Sequence, residues 1–148
     1  AQTPLSLGLV ENTCMNVLGG TSYDIVFTHG PEGEYTRHRR HEEISRAVYN
    51  LWFTARLETR LLVMFAYEDG NRAYLPRARK DAHLVNRLNN RLWEKKQAVI
   101  TTIYGFAADS WEAKTMPREE AFWSFSSIET LKDWLMARGL NDEDPRTL

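Results

Sequence analysis

The sequence has a single cysteine, Cys14, in 148 residues, so no intrachain disulfide is possible. That scarcity accords with a reducing compartment, and a cytoplasmic location is the expectation. No apolar run approaches the roughly 18 residues of a membrane span, so none is expected. An excess of either charge is also missing. Nineteen Lys and Arg stand against twenty Asp and Glu, a formal net charge of −1. Such a balance gives no global attraction to nucleic acid or to anionic lipid, and no nucleic-acid partner is expected. There is no internal repeat, no low-complexity segment and no linker, so residues 1–148 are read as one domain. The first residues, Ala-Gln-Thr-Pro-Leu-Ser-Leu, carry neither the basic region nor the apolar core of a secretory signal. They also lack an initiating methionine, which leads to the expectation of a mature form or a piece of a longer chain. Hydrophobic residues, at 43%, are enough for a sizeable core and too many for disorder.

Apolar spacing predicts a helix over residues 5–18, ended by Gly19-Gly20. A β-rich run at 23–28 reads as a strand buried on both faces, followed by a breaker loop, His29-Gly30-Pro31-Glu32-Gly33. Ile44, Ala47, Val48, Leu51 and Ala55 keep helical spacing over about 41–56. A second strand is predicted at 61–67, a turn at 68–71, and a short strand or extended loop at 72–75. Residues 81–104 read as one long helix with an irregular stripe, and 106–125 as irregular and aromatic-rich. A last helix over 128–138 is expected to be capped by Ser126 with Glu129 and stopped at Gly139, before a polar, frayed tail from Asn141. The order helix, strand, helix, strand, helix points to α/β layering, with so few clear strands that it reads as part of a sheet.

Only four histidines are present, and His29, His38 and His41 fall within thirteen residues. His38 and His41, three apart at a helix start, project from one side. Neutral imidazole ligates zinc and also serves as acid, base or oxyanion donor. The same spacing fits two solvated residues in a basic turn, and a complete zinc site needs at least three protein ligands. His29, at the end of a strand, is well placed for a site and equally suited to a packed role. Arg77 and His83 match an Arg-x5-His pattern found in certain ribonucleases, a pattern easily met by chance in a chain so rich in arginine. Arg37, Arg39, Arg40 and Arg46 form a basic cluster that suits phosphate, or pairing with Glu32, Glu34, Glu42 and Glu43. The aromatics of 106–125 read as core.

The run Asp24-Ile25-Val26-Phe27-Thr28-His29-Gly30, then Gly33-Glu34-Tyr35, then His38-x-x-His41, is more specific than any of its parts. It resembles the third conserved block of the zinc-dependent N-acetylglucosaminyl deacetylases, the PIG-L or LmbE-like family. The resemblance is strong over 23–47. It continues faintly through Lys95-Lys96, Ile103-Tyr104 and Glu120-Ala121-Phe122. It implies a Rossmann-like three-layer sheet with flanking helices, and removal of an acetyl group from an N-acetylated sugar or glycoconjugate. His41 would be a zinc ligand and His38 a catalytic residue for oxyanion stabilisation or proton transfer. Glu34, Tyr35 and Arg37 would contact substrate. The family's first motif, His-Pro-Asp-Asp-Glu, is absent from the sequence. That motif supplies two further metal ligands and the general base.

The absence leads to two expectations. The chain is the C-terminal part of a deacetylase, lacking the first strands, or it is a degenerate relative. In the second case it would be a non-catalytic module contacting phosphate or carbohydrate through the Arg/His turn. In either case zinc is expected not to be retained by this chain alone, since one or two imidazoles bind metal weakly. The strand at 23–28 is expected to lack a neighbour, and self-association or pairing with the missing segment follows.

Overall fold

The computed structural model describes residues 3–34 and 37–140. The expected frayed tail from Asn141 lies outside them. The first helix, α1 (Leu7–Leu18), ends where Gly19 takes a left-handed φ of 67° and donates its N–H to the Met15 carbonyl. Strand β1 (Ser22–Thr28) leads through a loop to α2 (Arg39–Phe53), and α2 returns the chain to β2 (Glu58–Phe65). The helix stops short of the expected residue 56 because Ala55 turns to φ 55°, and Arg56 and Leu57 donate back to the Leu51 carbonyl.

Strand β1 pairs in parallel with β2, with Val26 opposite Leu62 and Thr28 opposite Met64. The chain then forms a small hairpin of β3 (Tyr67–Glu68) and β4 (Arg77–Ala78). The expected extended segment at 72–75 is instead a turn, with Asn71 and Arg72 at φ 57° and 70°.

The predicted long helix over 81–104 is not one element. Its first part is strand β5 (Leu84–Arg87), and the helix α3 (Asn90–Ala98) starts only at Asn89, whose side chain accepts the Leu92 N–H. Five π-helical residues, Val99–Ile103, follow. Leu84 and Val85 belong to a β ladder, and His83 receives the Ser124 N–H on its Nδ1 at 3.0 Å, which fixes the start of that ladder. The segment read as irregular also contains regular structure. It holds α4 (Trp111–Thr115), capped by Ser110, and β6 (Glu119–Phe125), a central strand. Alternate residues Ala121, Trp123 and Phe125 are buried, while Phe122 on the opposite face hides the period-two pattern. The last helix, α5 (Ile128–Ala137), is capped by Ser127, not Ser126.

The result is an α/β fold with a mixed four-stranded sheet in the order β1-β2-β6-β5. Its core joins Val26, Leu62, Met64, Trp123 and Phe125 to Leu51 and Trp52 of α2 and to Leu131 and Leu135 of α5. Of the aromatics expected in the core, Trp123 and Phe125 are buried, whereas Phe106 and Trp111 are exposed. Strand β1 is a sheet edge and is buried on one face only, contrary to expectation. Its Ile25 and Phe27 are 50% and 60% exposed, because α2 packs on the face of Val26 and no described helix covers the other. Phe27 meets Phe122 edge-on, and Phe122 meets Phe65, so this open face is apolar.

Leu51→Ala, at a residue with no exposed surface, is expected to cost about 2–5 kcal/mol in urea melts. Ile25→Ala is expected to cost far less. The apolar edge is expected to make the chain self-associate in light scattering, and Phe27→Glu to reduce it. A monodisperse monomer, unchanged by the substitution, would contradict this.

Candidate functional site

The parallel β1–α2–β2 unit brings the C-terminal end of a strand beside the N-terminus of a helix, a recurrent place for ligands in α/β sheets. His29 is the first residue past β1, and His38 is the N-cap of α2. Between them the chain turns sharply. The Gly33 N–H bonds to the Gly30 carbonyl at 3.1 Å, and Gly33 has φ 85°, a region that favours glycine. Gly30 lies against β2 so closely that a Cβ there would stand 2.5 Å from the Phe65 carbonyl oxygen and 2.8 Å from that of Gly33. The turn folds Glu34 back beneath the two flanking histidines. Glu32 anchors it from outside, 3.1 Å from Arg138 and 3.5 Å from Arg79.

Glu34 is the buried centre of the group, with 9% of its side chain exposed. One carboxylate oxygen is hydrogen-bonded to His29 Nδ1. The other lies 3.6 Å from His41 Nδ1, too far for a hydrogen bond. The His29 and His41 rings stack with centroids 4.0 Å apart and planes 9° apart. The His38 ring lies 4.7 Å from that of His41. The Nδ1 atoms of His38 and His41 are buried and have no hydrogen-bond partner among the described residues. Burial lowers the His41 pKa, and the nearby His29 lowers it further against the opposing charge of Glu34, which favours the neutral, ligand-competent ring.

His29, Glu34 and His41 offer one donor atom each, all within 4.8 Å of one another. Imidazole and carboxylate donors suit zinc, and a buried imidazole nitrogen without a partner suits a ligand atom, so these residues fit a metal ion. Of the residues singled out from the sequence, the structure therefore brings Glu34, His38 and His41 together. It adds His29, whose role had been left open. Tyr35 lies outside the described residues. Arg37 is 74% exposed and bonds through Nε to Glu42 at 2.8 Å, while also bordering a polar cleft beside Glu34. Arg40 pairs with Glu43 and donates to the Thr3 carbonyl at 2.7 Å, so much of the basic turn is already engaged. His83 serves β6 and Arg77 pairs with Glu68 while stacking on Tyr74, so the Arg-x5-His match is structural.

A polar cleft of about 240 Å³ opens beside Glu34. Glu32, Arg37, Glu68, Asp69 and Arg79 border it, with the Tyr67 ring as its main apolar surface. Behind Tyr67, Glu120 accepts the tyrosine hydroxyl at 2.7 Å and the Lys96 ammonium at 2.7 Å. No protein-family model, curated protein or solved structure matches this chain.

The signal for His29 and Glu34 was in the sequence as the Thr-His strand end and the Gly-x-x-Gly-Glu turn. Only the close seat of Gly30 on β2 brings the two together. Gly30→Ala is expected to push the turn off β2 and to cost roughly 1–3 kcal/mol in thermal melts, with altered imidazole signals of His29 and His41 in NMR. An unshifted melting temperature and spectrum would mean that the turn yields freely.

Proposed function

We propose that this chain carries the histidine half of a metal-dependent hydrolase that removes an acetyl group from an N-acetylated sugar or glycoconjugate. The observation that carries the reading is the pairing of His38 with His41 at the start of α2, both with buried Nδ1 atoms that have no hydrogen-bond partner among the described residues, next to Glu34, which lines the polar cleft. The resemblance over residues 23–47 supports it, and a Rossmann-like arrangement is inferred with it from the β1–α2–β2 unit. When bound, zinc would polarise the acetamide carbonyl and acidify water. Among the chain's own residues, His41 is assigned to the metal. His38 is assigned to the developing oxyanion or to proton transfer to the departing amine. Glu34 and Arg37 border a cleft whose charged rim suits sugar hydroxyls better than an apolar ligand; Tyr35 is assigned to the same role by resemblance. The general base and further donors of the His-Pro-Asp-Asp-Glu motif would have to come from outside these 148 residues. The binding-module alternative through the basic turn is weaker, because Arg37 and Arg40 are paired with Glu42 and Glu43.

The test uses the complete gene product, an N-acetyl amino sugar and metal analysis. His41→Ala is expected to lose both bound zinc and deacetylation; retention of both would sink the assignment. His38→Ala is expected to keep the metal while slowing turnover by roughly 10²–10⁴-fold.

A further inference from the structure

Building on the sugar-directed reading proposed above, we infer that the polar cleft is a subsite for one neutral sugar ring, in which Asp69 and Asn71 hold ring hydroxyls and from which anionic sugars are turned away. Most polar groups on this cleft are already committed. Glu32 pairs with Arg138 and Arg79, Glu68 with Arg77, and Arg37 with Glu42. Arg79 is shared further with Asp81 at 3.0 Å, and Glu34 is held by His29. The Tyr67 hydroxyl is taken by Glu120. Of the side chains that line the cleft, those of Asp69 and Asn71 have no such partner among the described residues.

The chemistry of these two side chains sets the ligand class. A carboxylate only accepts, and an amide both donates and accepts, so together they take the O–H groups of neighbouring ring hydroxyls and give an N–H back. A sugar phosphate or uronate would bring a second negative charge against Asp69, while Arg37 and Arg79 are already neutralised by Glu42, Glu32 and Asp81. The volume of about 240 Å³ lies below the roughly 300–1,000 Å³ of sites for drug-sized ligands, which suits a single ring. The backbone points the same way. Gly70, Asn71 and Arg72 follow one another at φ 59°, 57° and 70°. Glycine and asparagine enter this left-handed region readily, but Arg72 does so against its own Cβ. Such conformations persist where the surrounding structure enforces them, and they gather at ligand sites. Here the Tyr74 ring lies so close to Gly70 that a Cβ there would clash with it, and Arg77 covers that ring at 4.0 Å from its centroid. The Tyr74 N–H bonds to the Asp69 carbonyl at 3.2 Å. The turn is thus fixed before a ligand arrives, and its two free side chains share one cleft with Glu34, which joins them to the histidines.

The test is titration of the 148-residue chain with N-acetylglucosamine and, in parallel, with its 6-phosphate, read by NMR at the Gly70 backbone amide and the Asn71 side-chain amide. The neutral sugar is expected to shift both signals and to bind at least about tenfold more tightly than the phosphate. Asp69→Asn keeps the shape of the side chain and removes its charge. It is expected to weaken the neutral sugar at least about fivefold and to bring the two ligands within about threefold of each other. Asn71→Gly, which removes the amide and relaxes the left-handed backbone, is expected to weaken the neutral sugar by about three- to tenfold. Both variants are expected to keep the thermal melt of the parent, since neither side chain is packed or paired. No shift at these amides, a phosphate bound as tightly as the neutral sugar, or unchanged affinity in either variant overturns the inference. The readout is sugar binding by this chain, without metal or turnover, so its failure leaves the hydrolase reading to be decided by His41→Ala in the complete product.

Discussion

The parallel pairing of β1 with β2 is the constraint on which the site depends. A parallel neighbour cannot be reached by a tight turn, so the chain must cross over the sheet through α2 before it can form β2. That crossing places the start of α2 against the end of β1. His29 at the strand end and His38 and His41 at the helix start then meet without any of them having to be drawn across the molecule. The helix is kept in place by apolar contact, not by its cap: Leu51 has no exposed surface, and the His38 side chain makes no capping bond. Burial of α2 on Val26, Leu62 and Met64 therefore sets where its first turn lies, and the histidines inherit that position.

The loop between them is held by parts of the chain far away in sequence. Glu32 reaches Arg138 after α5 and Arg79 before β5. Arg138 in turn lies over Trp123 and Trp134, 4.9 and 4.3 Å from their ring centroids, and pairs with Asp81. Exposed pairs of this kind contribute little singly. Here the guanidinium is also packed on two aromatic faces, which fixes its direction. The loop is thus pinned on one side by the Gly30 contact with Phe65 and on the other by this network. Glu34, between the two pins, has little freedom to leave the histidines.

The elements with one dominant physical cause were legible in the sequence. Both α1 and α2 follow apolar spacing and β1 follows β-rich composition, so these three were read nearly in place. Strands β5 and β6 were not. Four residues of β5 carry only Leu84 and Val85 as apolar residues, and both remain about half exposed, so the pairing is decided by β6 and not by local composition. Strand β6 follows the alternation Ala121, Trp123, Phe125, but Phe122 fills the opposite face, and an aromatic on both faces reads as no pattern. The cap of α5 moved one residue because Ser127, not Ser126, reaches the Thr130 N–H. For the site, the spacing of His38 and His41 was readable because a helix fixes it. The inclusion of His29 was not, since it depends on how tightly Gly30 seats on a strand more than thirty residues later.

This difference bears on what the histidines are for. A His-x-x-His pair on a solvated helix start would have its nitrogens in water, and nothing would follow from its spacing. Here the Nδ1 atoms of both are buried, and the nearby charge is a carboxylate that the turn itself has carried inward. Carrying Glu34 inward costs desolvation, and the hydrogen bond to His29 with the nearby His41 ring recovers only part of it. A fold that accepted this cost for stability alone would be better served by an apolar residue at 34. Two arginines of the basic turn are paired with other carboxylates, Arg37 with Glu42 and Arg40 with Glu43. What remains is a largely buried carboxylate between two imidazoles at the mouth of a polar cleft, a set of donors that could hold a metal ion.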